Sequence, residues 1–185
     1  MASATLSSEC GWFSVPGGAA GSTLLCQYGP TIAVDIGFDP AHKPGEPDLP
    51  PIAGIKGVPA LVDTGAFASC IDSLLATQLN LPIIDRRIVS GIGGPQEVNF
   101  HLAQVCVPSL RFTQYGMFAG VHLAAGGQPH QALLGRTFLR HHTMLYEGPS
   151  GQVTISRANA PPPPASSPTS PVSPVEPPQP AQPPA

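Results

Sequence analysis

The clearest demand for a chemical role in this chain comes from Asp63. It ends the aliphatic run Ala60-Leu61-Val62 and is followed at once by Thr64, Gly65 and Ala66. Leu61 and Val62 call for burial, whereas an isolated ionised carboxylate in apolar surroundings is very costly. Asp63 therefore requires water or a partner. The other groups able to do chemistry are scattered. His101, His122, His130 and the adjacent pair His141-His142 form no HExxH or similar spacing, and neighbouring histidines on a helix point in different directions, so no metal site is expected. Cys10, Cys26, Cys70 and Cys106 show no CxxC spacing, which argues against zinc and against a dense disulfide framework and leaves partly buried thiols. Asp72 and Glu147 are read as solvated surface acids.

The elements that must position Asp63 read mostly as short strands. Pro30 to Phe38 alternates, with Ile32, Val34 and Ile36 on one face, and "GVPALVD" is a second strand. Between them "DPAHKPGEPDLPP" is a loop by its prolines and acids. Ser69 to Leu81 places Ile71, Leu74, Leu75 and Leu79 at a spacing that predicts a short helix. "RRIV" and "QEVNFHLAQVCV" are strand-like and flank the turn Ser-Gly-Ile-Gly-Gly-Pro. "YGMFAGVHLA" and "VTIS" are further strands. Between these two, "ALLGRTFLRHHTML" carries an apolar pair, a glycine and helical spacing at Phe138, Leu139 and Leu145. The fold class is mostly β with one or two short helices.

Composition sets the limits of this unit. Of 185 residues, 42% are apolar, which suits a core, and 10% are charged, well below the usual share. A net charge of −3 offers no basic field for nucleic acid and no polybasic membrane patch. The N-terminus lacks the basic and apolar regions of a secretory signal, and no apolar run is long enough to span a membrane, so the cytoplasm is the default location. Residues 159–185 hold a Pro-rich tail in which proline blocks helix and sheet, read as disordered and rich in polyproline II. Tracts of this composition are common as plain solubilising tails; a partner module that reads PxxP is the functional alternative. Residues 1–28, rich in Gly, Ser and Ala, form an N-terminal extension of undecided order, which leaves 29–158 as the folded domain.

Three pieces now stand in order: "LVDTGA", "SGIGG" with Gly91 lying 28 positions after Asp63, and "ALLGR" ahead of a short helix. In this combination the sequence resembles the retropepsins, the retroviral-type aspartic proteases, over roughly Pro30 to Ser156. The resemblance implies an acid-protease fold with a flap hairpin, an aspartic endopeptidase acting on peptide or protein substrates, and no cofactor. Peptide hydrolysis of this kind needs two carboxylates close together holding one proton, one acting as base on a water and the other as acid on the scissile carbonyl. The chain offers one Asp-Thr-Gly, so the second carboxylate would come from a second copy across a two-fold axis, and a homodimer is implied.

The same resemblance assigns roles to the neighbours. Asp63 would be catalytic. Thr64 would hydrogen-bond across the dimer, Gly65 would let the backbone turn close to substrate, and Ala66 would lie beside the substrate backbone. Gly91, Ile92, Gly93 and Gly94 would form the flap, with Ile92 at its tip and Pro95 stiffening one side. Leu133, Leu134, Gly135 and Arg136 would pack behind the loop and support it. One departure is visible: Phe67 stands where retroviral enzymes commonly carry an Asp that pairs with the later Arg, so Arg136 must find another partner or face solvent. A second reading keeps the fold without the chemistry, as a silent dimerisation or peptide-binding module. A third makes the chain active only after its tail or N-terminus is removed.

Overall fold

The computed structural model describes residues 6–9, 21–42, 53–91 and 94–157. The Pro-rich tail, Ile92 and Gly93 of the expected flap tip, and most of the loop after Pro40 lie outside these residues.

Among the described residues ten strands carry the fold: β1 Leu6–Glu9, β2 Thr31–Gly37, β3 Gly54–Val62, β4 Cys70–Asp72, β5 Ile83–Gly91, β6 Gly94–Val107, β7 Phe112–Val121, β8 Ala132–Leu134, β9 Thr143–Glu147 and β10 Gln152–Arg157. Short α-helices accompany them at α1 Gly21–Tyr28, α2 Ser73–Gln78 and α3 Arg136–Leu139. The fold is mostly β, as the alternation predicts.

The larger sheet runs β2-β3-β8-β4-β7-β6-β5, and β2 pairs again with β6, so the sheet closes on itself. Closure is possible because β6 is 14 residues long. Its first half pairs with β5, from Gly91↔Gly94 to Ile83↔His101. Gln104 to Cys106 then pair with Asp35 to Gly37 of β2. A register shift between Val34 and Ile36 leaves Asp35 out of the β2–β3 ladder and frees it for the β6 side. Because the sheet wraps round its own interior, β2 is buried along nearly its whole length rather than on alternate residues. Val34, Ile36, Val58, Ala60, Val62, Ile71, Val105, Phe118, Leu134 and Phe138 fill that interior.

A second sheet, β1-β10-β9, packs Val153 and Ile155 against the same core. Leu25 of α1 is buried there as well, so part of the stretch assigned to the N-terminal extension packs with the body.

Two predicted helices are shorter than the sequence suggested. In Ser69 to Leu81, Cys70–Asp72 forms β4, held between β7 in parallel and β8 in antiparallel pairing, and the helix begins only at Ser73. Asp72 is correspondingly not a surface acid. It is 2% exposed, its Oδ1 accepts the N–H groups of Leu74 and Leu75 at the start of α2, and its Oδ2 accepts that of Ala124. In the later segment α3 ends at Leu139, and Leu145 lies on β9.

Candidate active site

Asp63 follows directly on β3, whose partner β8 runs parallel to it and pairs Val62 with Leu134. The ladder continues one step further: the Asp63 N–H donates to the Leu134 carbonyl at 3.0 Å. The backbone under the carboxylate is thus fixed by the Leu133-Leu134 segment. Leu134 is buried and Leu133 half-buried between Leu61 of β3 and Cys70 of β4.

The carboxylate is aimed by its own loop. The Gly65 N–H donates to Asp63 Oδ1 at 2.7 Å, and a Cβ on residue 65 would lie 3.1 Å from that same oxygen. Glycine therefore keeps the turn tight without pressing on the acid. Thr64 and Gly65 are exposed, and Asp63 and Ala66 are half-buried. A cleft of about 550 Å³ opens beside them, lined by Pro30, Leu61, Val62, Asp63, Thr64, Met144 and Tyr146. Asp63 is the one carboxylate among those residues.

The β8–α3 junction grips the loop from behind. Arg136 N–H donates to the Ala66 carbonyl at 2.9 Å and Thr137 N–H to the Phe67 carbonyl at 3.1 Å. The Arg136 guanidinium, exposed and with no carboxylate partner among the described residues, reaches the carbonyls of Thr64 and Gly65 at 3.3 and 3.4 Å. The partner left open by Phe67 is thus the loop backbone itself. Phe67 is 73% exposed.

A polar cluster that the sequence did not reveal joins these pieces. Ser69 is 2% exposed; its Oγ accepts the Gly135 N–H at 3.2 Å and donates to Gln114 Oε1 at 3.1 Å. Thr137 Oγ1 accepts from the Ser69 N–H at 3.2 Å and from Gln114 Nε2 at 3.3 Å. Satisfied buried networks of this kind rigidify what they connect. Here they connect the carboxylate loop, β7 and the start of α3. Locally the sequence offers only a hydroxyl residue after each motif, Ser69 after Asp63 and Thr137 after Gly135. The contacts themselves span 45 and 68 residues of chain.

Cys70 borders the site and is a poor nucleophile there. Burial, with the charge of Asp63 nearby, pushes its thiol up to about 12, so the reactive thiolate is absent at ordinary pH. The histidines do not converge. Among the described residues no three or more His, Cys, Asp or Glu side chains gather closely enough to hold a metal ion. Gly91 and Gly94 face each other where β5 and β6 end their pairing, so the hairpin expected at this place is present up to the tip.

Residues 52–138 match a family model described as aspartyl protease. That span holds the Asp63 loop, the β5–β6 hairpin and the Leu133–Arg136 segment, so the resemblance to retropepsin-like aspartyl proteases read from those three motifs is upheld. Among solved structures the chain is similar to one described as EIAV protease complexed with the inhibitor HBY-793. The two are 15% identical, the match covers 69% of this chain and 92% of that one, and the TM-score is 0.37. No curated protein matches the chain.

Proposed function

We propose that the chain is an aspartic endopeptidase whose site is completed by a second copy, each copy contributing Asp63. The observation that carries this reading is the way Asp63 is held. Its N–H is fixed by the Leu134 carbonyl, its Oδ1 by the Gly65 N–H, and it faces a cleft among whose described lining residues there is no second acid. A carboxylate oriented so carefully and left without its pair is half of an acid–base couple.

With two Asp63 side chains at one axis, like charges at close range cannot both ionise, so the pair holds one proton. The ionised carboxylate takes a proton from the attacking water. The protonated one gives its proton to the carbonyl oxygen of the scissile peptide bond. Proton donation to the departing amine then breaks the C–N bond. Thr64 holds the two loops together across the axis, Ala66 lies beside the substrate backbone, and Arg136 keeps the loop carbonyls in place. The β5–β6 hairpin, whose described strands reach Gly91 and Gly94, closes over the bound peptide.

The test is Asp63→Asn, assayed on casein or a peptide library beside the parent. The carboxamide neither ionises nor shares a proton, so activity should vanish while circular dichroism is unchanged. Peptidase activity surviving in the purified variant would refute the assignment. A parent protein without activity, whole or trimmed of its terminal segments, would leave the fold as a binding module.

A further inference from the structure

A groove of about 390 Å³ lies between Phe112 to Tyr115 at the start of β7 and Thr137, Arg140 and His141 at α3. It is separate from the Asp63 cleft, and the chain leaves β10 beside it. We infer that this groove holds residues 161–164 of the same chain, the four-proline run that opens the C-terminal segment.

Three observations lead there. The first is where the described chain ends. The Arg157 guanidinium lies 4.9 Å over the Phe112 ring and donates to the Arg111 carbonyl at 2.7 Å. The chain beyond Arg157 therefore starts at the Phe112 end of the groove. Residues 158–160 span at most about 10 Å when extended, enough to bring Pro161 to its mouth.

The second is length. Phe112 to Tyr115 makes three strand steps, about 10 Å. Four prolines in the polyproline II form that such runs favour span about 12 Å. The run matches the wall.

The third is chemistry. The Tyr115 ring meets His42 at 5.2 Å and the Phe112 ring meets His141 at 5.5 Å, so flat rings stand at both ends of the β7 wall. Aromatic-lined grooves are the surfaces on which proline-rich segments dock. No acid lies among the described lining residues. Both ends of the Gln114 amide are taken, by Ser69 and Thr137. Arg140 donates its Nε–H to His141, and its terminal N–H groups and the Tyr115 hydroxyl meet no hydrogen-bond partner among the described residues. A proline run supplies carbonyl acceptors to such donors and brings no N–H that needs an acceptor in return.

The tether makes a weak contact sufficient. A short linker holds the run at an effective concentration on the order of 1 mM, so an intrinsic Kd of about 1 mM keeps the groove about half occupied. A partner in solution would have to reach that concentration to compete equally.

Amide NMR of the full chain tests the inference, comparing the parent with a variant carrying Pro161→Ser, Pro162→Ser, Pro163→Ser and Pro164→Ser together. These changes fall after β10 and keep the tether length. Signals of residues 112–115 and 137–141 should differ between the two. A free peptide of residues 158–170, added to the variant, should move those signals back towards the parent positions. It should bind the parent at least about twofold more weakly, because the tethered run competes at an effective concentration near its Kd.

Identical groove signals in parent and variant would overturn the inference. So would movement of the groove signals of isotope-labelled variant when unlabelled parent is mixed in, which would assign the groove to the tail of a second copy. If Pro47→Ser, Pro50→Ser and Pro51→Ser together shift these signals while the tail variant does not, the segment after His42 occupies the groove and the inference likewise falls.

Discussion

Gly135→Ala is the sharpest single perturbation of the support behind the carboxylate loop. Gly135 has an ordinary φ of −87°, so alanine is permitted by the backbone and the effect is purely one of space. The added Cβ would lie 2.6 Å from the Ala68 carbonyl oxygen, 2.7 Å from its carbon and 3.0 Å from the Ala66 oxygen. All three are main-chain atoms, which cannot rotate away. Ordinary contact begins near 3.4 Å, so the loop and β8 must part by about 0.8 Å. Parting them stretches the bonds from Arg136 N–H to Ala66 and from Gly135 N–H to Ser69. Overpacking of this kind costs about 1–3 kcal/mol of stability. A displacement approaching 1 Å at a catalytic group lowers activity by about 100-fold. Urea denaturation and kcat/KM on a cleaved peptide measure the two effects. A stability change under about 0.5 kcal/mol, the range of surface substitutions, with kcat/KM within threefold of the parent would refute the wedge and with it the supporting role of the β8–α3 junction.

Asp72→Ala removes the cap of α2 and the acceptor for the Ala124 N–H together. A lost N-cap is worth about 1 kcal/mol and an unsatisfied donor about 1–3 more, so denaturation should show a loss of about 2–4 kcal/mol; a loss below about 0.5 kcal/mol would show that Asp72 is not structural. Acid should also weaken the fold. Burial lowers the affinity of His130 for its proton, and burial lowers it at His142 and, with Arg140 and Arg157 adding to it, at His141. The unfolded chain therefore binds these protons first, near pH 6.5, and stability falls as pH drops below that value until the folded histidines protonate too. The urea midpoint should be lower at pH 5 than at pH 7.5, with a smaller difference in His130→Gln; an equal or higher midpoint at pH 5 would contradict the sign.

What the sequence made legible followed periodicity and local motifs. Alternation marked most strands of the closed sheet, and Asp63, the glycine hairpin and Leu133–Arg136 stood out as short patterns tied to strand ends. Misreadings arose where two elements meet within one apolar spacing. Ile71 fits the helical interval to Leu74 and Leu75, yet it lies on β4 because neighbouring strands claim its backbone. Leu145 fits the interval from Phe138 in the same misleading way. Asp72 was open to detection, since an Asp immediately before "SLLATQ" has the type and place of an N-cap. The Ser69–Gln114–Thr137 cluster and the reach of Arg136 to the loop carbonyls were not, because nothing local links residues so far apart in the chain. Leu25 was hidden by the small residues around it, whose composition argued against a packed helix.

The claim on which the rest depends is that one site needs Asp63 from two chains, and subunit mixing tests it most directly. Parent and Asp63→Asn chains are combined at fixed total concentration, allowed to exchange, and assayed as the parent fraction is varied. If both carboxylates of a dimer are required, activity follows the square of the parent fraction, and an equal mixture retains about a quarter. A straight line, with about half the activity at equal mixing, would show that each chain works with its own Asp63 alone and would contradict the shared site.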